Sequence, residues 1–149
     1  YIERADNTLR LLDARYEMLG DDAAGISDGS AYGYYQWSAL LRALSAFEAF
    51  TELYREAPGA RQVAELLILR DDVPRSLRSC LDEINQILAS LPGNNGRPAQ
   101  RLVAELDARL RYTGIDDILA EGLHGWLSDF ILQVRELANA IHSAYLEAA

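Results

Sequence analysis

Apolar residues recur every three or four positions along most of the chain, which predicts a protein built from amphipathic α-helices. The first helix is expected over residues 1–19. Its apolar face contains Tyr1, Ala5, Leu9, Leu12, Tyr16 and Leu19. On the opposite face, Asp6, Arg10 and Asp13 are spaced to form ion pairs within the helix. No segment alternates apolar and polar residues for long enough to predict a β-strand.

The rest of the pattern predicts an all-α bundle of five or six mostly antiparallel helices. Further helices are expected at residues 33–57, 60–69, 72–91, 97–112 and 115–146. Turn residues separate them at Pro58-Gly59 and in the segment 92–96, and Gly122 is a potential break in the last helix. Because no linker divides the chain, we expect a single helical domain over residues 1–149.

Two of these helices have informative ends or faces. The helix over residues 33–57 is apolar around most of its circumference, which predicts a central position in the bundle. The helix over residues 72–91 has the most regular apolar stripe. Asp72 is expected to cap its N-terminus, with Pro74 in the first turn, where a missing N–H costs nothing.

The segment 20–30 is rich in Gly and Asp and is expected to be a loop. Its carboxylates raise the question of a calcium site. An EF-hand loop that began at Asp21 would require Glu at its twelfth position, where this chain has Tyr32. We therefore do not expect calcium to bind there.

Composition narrows the classes of function. The net charge of −9, with 14 Arg and no Lys, argues against binding of nucleic acid and disfavours an anionic membrane surface. No run of apolar residues is long enough to span a bilayer. The single cysteine, Cys80, excludes an internal disulfide, lies on an apolar stripe and is expected to be a buried, inert thiol. We expect a cytoplasmic protein.

Catalytic motifs are absent from the sequence, and the residues indicate no metal site and no cofactor. His124 and His142 are far apart in the sequence and are expected to be packed or surface histidines. Arg4 lies at the edge of the apolar face of the first helix. We expect its guanidinium to reach the carboxylate of Glu48 or Glu65 on a neighbouring helix.

Two further groups of residues each allow two interpretations of their role. Arg75 and Arg78 lie near the start of the helix over residues 72–91, where they could hold an anion, or Arg78 could pair with Asp82. Tyr35 and Trp37 belong to an aromatic cluster at residues 32–37. That cluster could be an anchor surface for a protein partner or part of the core.

Four runs together resemble the alpha-E family, a bacterial all-helical family named for a Glu-Arg motif. They are residues 1–8 with Glu3-Arg4, residues 34–37, residues 63–69 together with 73–76, and residues 119–124. The resemblance covers nearly the whole chain. It implies that longer members carry two related halves and that this chain corresponds to the second half. If the other half normally packs here, an apolar surface is left open and self-association is expected.

The same resemblance implies partners. Members occur beside, or fused to, ATP-grasp proteins, with transglutaminase-like cysteine peptidases nearby. We therefore expect a non-catalytic partner or substrate-binding module of an ATP-grasp amide-ligase system. The residues expected to bind are Glu3, Arg4, Tyr35, Trp37, Arg75 and Arg78. The alternative is an enzyme of the same pathway, with Glu3 or Glu48 as general base and Arg4 or Arg75 holding a carboxylate.

Overall fold

The computed structural model describes residues 1–19 and 31–147, and every regular element in these two ranges is a helix. In chain order the helices are α1 (Ile2–Leu19), α2 (Ala31–Ala43), α3 (Phe47–Leu53), α4 (Ala60–Leu69), α5 (Leu77–Ser90), α6 (Arg97–Arg111), α7 (Ile115–Glu121) and α8 (Leu123–Tyr145). The all-α class is confirmed. The expected loop at residues 20–30, and with it the question of calcium, lies outside the described residues.

Residues 1–19 and 31–147 contain eight helices, not five or six, because two predicted helices are broken. The helix predicted over residues 33–57 is divided into α2 and α3 at Ser45, which adopts a positive φ of 53°. The final helix is divided into α7 and α8 at Gly122, whose φ is 95°. Backbone with positive φ cannot continue a right-handed helix, so the chain changes direction at both positions.

The start of α5 also differs from the prediction. Asp72 does not cap the helix, and residues 70–76 form an irregular segment before it. The cap is Ser76, which accepts a hydrogen bond of 3.0 Å from the N–H of Ser79. The Ser76 hydroxyl also donates to the carbonyl of Arg70, so one buried side chain ties this segment to the helix.

One hydrophobic core holds the helices together. The most enclosed helix is the short α4, which packs against α1, α2, α5, α6 and α7. The central position predicted for the helix over residues 33–57 is therefore taken by α4, while α2 packs against α1, α3 and α4. Helix α1 packs most extensively against α8 and also contacts α2, α4 and α5.

None of the helices in the described ranges has the length and hydrophobicity that a membrane-spanning segment requires.

Candidate functional site

Glu3 and Arg4 lie in the first turn of α1, and their side chains border two different cavities. Glu3 is exposed and lines an apolar groove, whereas Arg4 is partly buried and lines a polar pocket. Tyr1 contributes to both cavities. The two residues of the pair therefore present their charges to separate environments.

The apolar groove has a volume of about 420 Å³ and lies between the N-terminal end of α1 and the C-terminal ends of α5 and α8. Its lining consists of Tyr1, Ile2, Glu3, Ile84, Ile87, Leu88, Leu91, Ile141, Tyr145 and Leu146. Several of these side chains are well exposed: Ile87 is 45% exposed and Leu91 is 38% exposed. An apolar surface of this kind on a helical bundle is typical of a site that contacts another molecule.

Tyr145 forms part of the groove floor, and Gly96 allows its ring to pack closely against the segment before α6. A Cβ atom added at Gly96 would lie 1.7 Å from the Tyr145 hydroxyl oxygen. A side chain at position 96 would consequently displace the Tyr145 ring. The buried side chains of Ile84 and Leu88 complete the floor.

The polar pocket has a volume of about 220 Å³ and lies between α1, the segment 70–76 and the first turns of α5. Arg4 places its guanidinium carbon 5.3 Å from the centroid of the Tyr1 ring, which is a cation–π contact. The predicted ion pair with Glu48 or Glu65 is not formed. Glu65 instead accepts a hydrogen bond of 2.6 Å from the Tyr54 hydroxyl, and Glu48 is exposed on α3.

Four carboxylates line this pocket: Asp71, Asp72, Asp82 and Glu83. Three of them pair with arginines outside it: Asp71 with Arg78 at 3.4 Å, Asp72 with Arg70 at 2.5 Å and Asp82 with Arg111 at 3.4 Å. The hydrogen bond from Arg70 lowers the pKa of Asp72, so that this carboxylate stays ionised. A pocket with this lining favours a cationic or hydrogen-bonding group over a carboxylate.

Arg75 lies on the segment 70–76, which borders the polar pocket, and Arg78 lies in the first turn of α5. The backbone carbonyl of Arg75 accepts a hydrogen bond of 2.9 Å from the Thr8 hydroxyl on α1. The sequence suggested that Arg78 could pair with Asp82, but Arg78 pairs with Asp71 instead. Its guanidinium also donates a hydrogen bond of 3.4 Å to the carbonyl of Leu69. The structure therefore brings both arginines to the end of α1 that carries the Glu-Arg pair.

Tyr35 and Trp37 lie elsewhere, on α2. Trp37 is fully buried in the core, while Tyr35 is 66% exposed and packs edge-on against Tyr34. The neighbouring Gln36 accepts a hydrogen bond from Arg15 on α1. Arg15 is twelve residues after Glu3, which corresponds to about 18 Å along the helix. The candidate residues thus form two groups at opposite ends of α1, and only Tyr35 of the α2 pair is accessible to a partner.

One cluster of polar residues was missed from the sequence. The Nδ1 atom of His124, on α8, lies 2.7 Å from a carboxylate oxygen of Asp13 and 3.3 Å from one of Glu17, both on α1. The hydrogen bond with Asp13 raises the pKa of His124. The spacing of Asp13 and Glu17 shows that they share a helix face, but nothing in the sequence shows that His124 faces them.

The sequence matches a known family over almost its full length. The family model for Alpha-E, described as a predicted alpha-helical domain with a conserved ER motif, matches residues 1–146. No curated protein and no solved structure matches the chain. Glu3-Arg4 is the only Glu-Arg dipeptide in the sequence, which fits the motif in the family's description. The chain belongs to the Alpha-E family.

Proposed function

We propose that this Alpha-E domain is a non-catalytic binding module that presents the apolar groove beside Glu3 to a protein partner, an ATP-grasp-type amide ligase. The observation that carries the proposal is the groove itself, where exposed Tyr1, Ile87, Leu91 and Leu146 meet at one end of the bundle. Burying these side chains against a partner would contribute favourable free energy, because each remains partly in water in the free domain.

The charges around the groove indicate what kind of surface fits it. Glu3 is the only charged residue in the groove lining, and the neighbouring polar pocket contains four carboxylates. A partner segment with an apolar anchor flanked by a basic residue would place the anchor in the groove and the base near Glu3. Arg4 lines the same pocket as these carboxylates, so its positive charge offsets part of their negative charge.

The identity of the partner comes from the resemblance to the alpha-E family. An ATP-grasp ligase consumes ATP, so the complex would work in the cytoplasm. A transglutaminase-like peptidase of the same pathway is a further proposed partner. We also propose that the chain corresponds to the second half of a two-repeat protein. In the longer protein, the other half would cover part of the same apolar surface. The isolated domain would instead self-associate through that surface.

The enzyme alternative has less support in the arrangement of the residues. Glu3 lines the groove, whose lining contains no arginine, and Arg4 lines the other cavity. Glu48 lies on α3 and lines neither of these cavities. A general base and a carboxylate-binding arginine would have to face the same cavity to act on one substrate.

The test is binding of the purified domain to the ATP-grasp-type protein from the same source, measured by titration calorimetry. Ile87→Glu places a charge in the groove and is expected to weaken binding at least tenfold. Leu132→Glu is the matched control, because Leu132 is similarly exposed at 55% but lies on α8 outside the groove. Equal effects of the two substitutions, or no binding by the unmodified domain, would refute the proposal.

A second measurement separates a partner from an enzyme. The ATP-grasp protein is assayed for ATP-dependent amide formation with and without the domain. Our proposal predicts that Ile87→Glu lowers the effect of the domain and that Glu3→Gln and Glu48→Gln leave the turnover of the bound complex unchanged at saturation. A loss of turnover at saturation with Glu3→Gln would favour the enzyme alternative.

A further inference from the structure

Three metal-ligating side chains converge where α1 crosses the start of α8. The Nδ1 atom of His124 lies 2.7 Å from Oδ1 of Asp13 and 3.3 Å from Oε1 of Glu17. One ligand atom from each of the three residues lies within 4.8 Å of the other two. The residues come from helices separated by more than 100 positions in the sequence, so their convergence is a property of the fold.

The scaffold holds these side chains in place from both sides. Asp13 and Glu17 are four residues apart and therefore lie on the same face of α1. Gly122 ends α7 with a φ of 95°, which only glycine adopts readily, and this turn places His124 in the first turn of α8. The α1–α8 contact is the most extensive between any two described helices, and Leu12 and Leu123 are buried within the core next to the cluster.

Among the described residues, one histidine faces the two carboxylates of this cluster. A single Nδ1 atom offers at most one proton, so it cannot satisfy two carboxylates at once. The arginines closest along α1 are engaged with other residues, Arg10 with Asp6 and Arg15 with Gln36. Within the described ranges, His124 is the only basic group that pairs with Asp13 or Glu17. The cluster thus carries excess negative charge at a point where a nitrogen ligand is also present.

We propose that Asp13, Glu17 and His124 bind a divalent transition-metal ion of the zinc class. One imidazole with two carboxylates suits Zn²⁺ or Co²⁺, whereas Ca²⁺ and Mg²⁺ prefer oxygen ligands alone. Metal–ligand bonds of about 2.0–2.1 Å in a tetrahedron place neighbouring ligand atoms about 3.3 Å apart. The 3.3 Å between His124 Nδ1 and Glu17 Oε1 already matches this spacing, and the 2.7 Å between His124 Nδ1 and Asp13 Oδ1 is about 0.6 Å shorter than it.

The site is open to solvent on one side. The side chains of His124 and Glu17 are 53% and 56% exposed, which gives an ion a path of entry and leaves a coordination position for water or a further ligand. Asp13 is ten residues along α1 from Glu3, or about 15 Å, so the site is separate from the groove. The inference is therefore independent of the proposed function.

The experiment is titration of the untagged domain with ZnCl₂ by calorimetry, and with CoCl₂ by visible absorption. We expect one high-affinity Zn²⁺ per chain, the intense absorption bands of tetrahedral Co²⁺, and an increase in thermal midpoint when Zn²⁺ is added. CaCl₂ is expected to bind at least tenfold more weakly than ZnCl₂. Absence of Zn²⁺ binding, or equal affinity for Ca²⁺, would overturn the proposal.

Variants locate the ion. His124→Ala and Glu17→Gln are each expected to weaken Zn²⁺ binding at least tenfold, and Glu17→Gln changes an exposed residue that the fold does not require. The matched control is His142→Ala, because His142 is similarly exposed on the same helix and lies 3.6 Å from the carboxylate of Glu147. Loss of binding in the control, or retention in both Glu17→Gln and His124→Ala, would show that the ion binds elsewhere.

Discussion

The hydroxyl of Thr8 donates a hydrogen bond of 2.9 Å to the backbone carbonyl of Arg75. Thr8 is 1% exposed, so water cannot replace this bond. The contact joins α1, one turn beyond the Glu-Arg pair, to the segment that forms one wall of the polar pocket. It therefore fixes the position of Arg4 relative to the carboxylates of Asp71 and Asp72.

The first prediction concerns this bond. Thr8→Val keeps the shape of the side chain but leaves the Arg75 carbonyl without its partner, and should lower the free energy of unfolding by about 1–3 kcal/mol. Thr8→Ser retains the hydroxyl and should lose less. Urea unfolding followed by circular dichroism measures both. A Thr8→Val protein as stable as the parent would show that the bond contributes nothing to the fold.

The second prediction concerns the apolar stripe of α5. Leu81 is fully buried, so Leu81→Ala should lower the free energy of unfolding by about 2–5 kcal/mol. Leu132→Ala, at an exposed position on α8, should stay within about 0.5 kcal/mol of the parent. The midpoints of denaturant unfolding give both values. A change below about 1 kcal/mol for Leu81→Ala would mean that this face of α5 is not core.

Much of the fold follows from the sequence because helical periodicity is a local signal. The helices predicted at residues 1–19, 60–69 and 97–112 agree with α1, α4 and α6 to within a residue at each end. Pro and Gly mark most of the boundaries. The cap of α5 was misplaced, because both Asp72 and Ser76 have capping side chains and only the packing of the segment between them decides which one caps.

The break at Ser45 could not be predicted, because the motif that forms it normally contains glycine. The N–H of Ala46 donates to the carbonyl of Leu41, and the N–H of Ser45 donates to that of Arg42. These two bonds are those of a Schellman motif with Ser45 in the left-handed position. Apolar residues on both sides of the bend, including Leu44 and Phe50, are buried in the same core.

The third prediction follows from that backbone. Ser45 is exposed and has a φ of 53°, which costs a residue with a Cβ atom about 1–2 kcal/mol. Ser45→Gly removes this cost but adds freedom to the unfolded chain, so we expect a net stabilisation of about 0.5–1 kcal/mol. Ser45→Val should destabilise, because a β-branched residue tolerates positive φ poorly. Thermal unfolding of both variants is the measurement, and a less stable Ser45→Gly would contradict the assignment of the break.

The candidate site was only partly predictable, because sequence spacing shows which residues share a helix face but not what that face meets. Arg4 is partly buried, as expected at the edge of the apolar face of α1. Its expected partner Glu65 accepts a hydrogen bond from the Tyr54 hydroxyl instead. Trp37 and Tyr35 are two positions apart on one helix, and the first is core while the second is exposed. The contact of His124 with Asp13 depends on how α8 crosses α1, which no local pattern encodes.

The fourth prediction concerns the single thiol. Cys80 is fully buried, and burial raises its pKa, which disfavours the reactive thiolate. The native protein should therefore react with a disulfide reagent such as Ellman's far more slowly than the protein unfolded in guanidinium chloride. Because the pKa is raised, moderately alkaline buffer should not remove this protection. Rapid labelling of the native protein would show that α5 opens readily or that the thiol is accessible.

The fifth prediction concerns Arg4. Among the described residues, Arg4 forms no ion pair, and its guanidinium makes a cation–π contact with the Tyr1 ring. Because a cation–π contact near the surface contributes about 0.5–1 kcal/mol, Arg4→Ala should lower the free energy of unfolding by about that amount. Any larger effect should fall on binding of the proposed ATP-grasp-type partner, and Arg4→Lys should partly restore that binding. Thermal midpoint and partner affinity are measured together for both variants. A loss of stability above about 2 kcal/mol would show that the arginine holds the fold together, as an ion pair at a bundle seam would. If neither property changes, Arg4 acts neither in folding nor in binding by this domain.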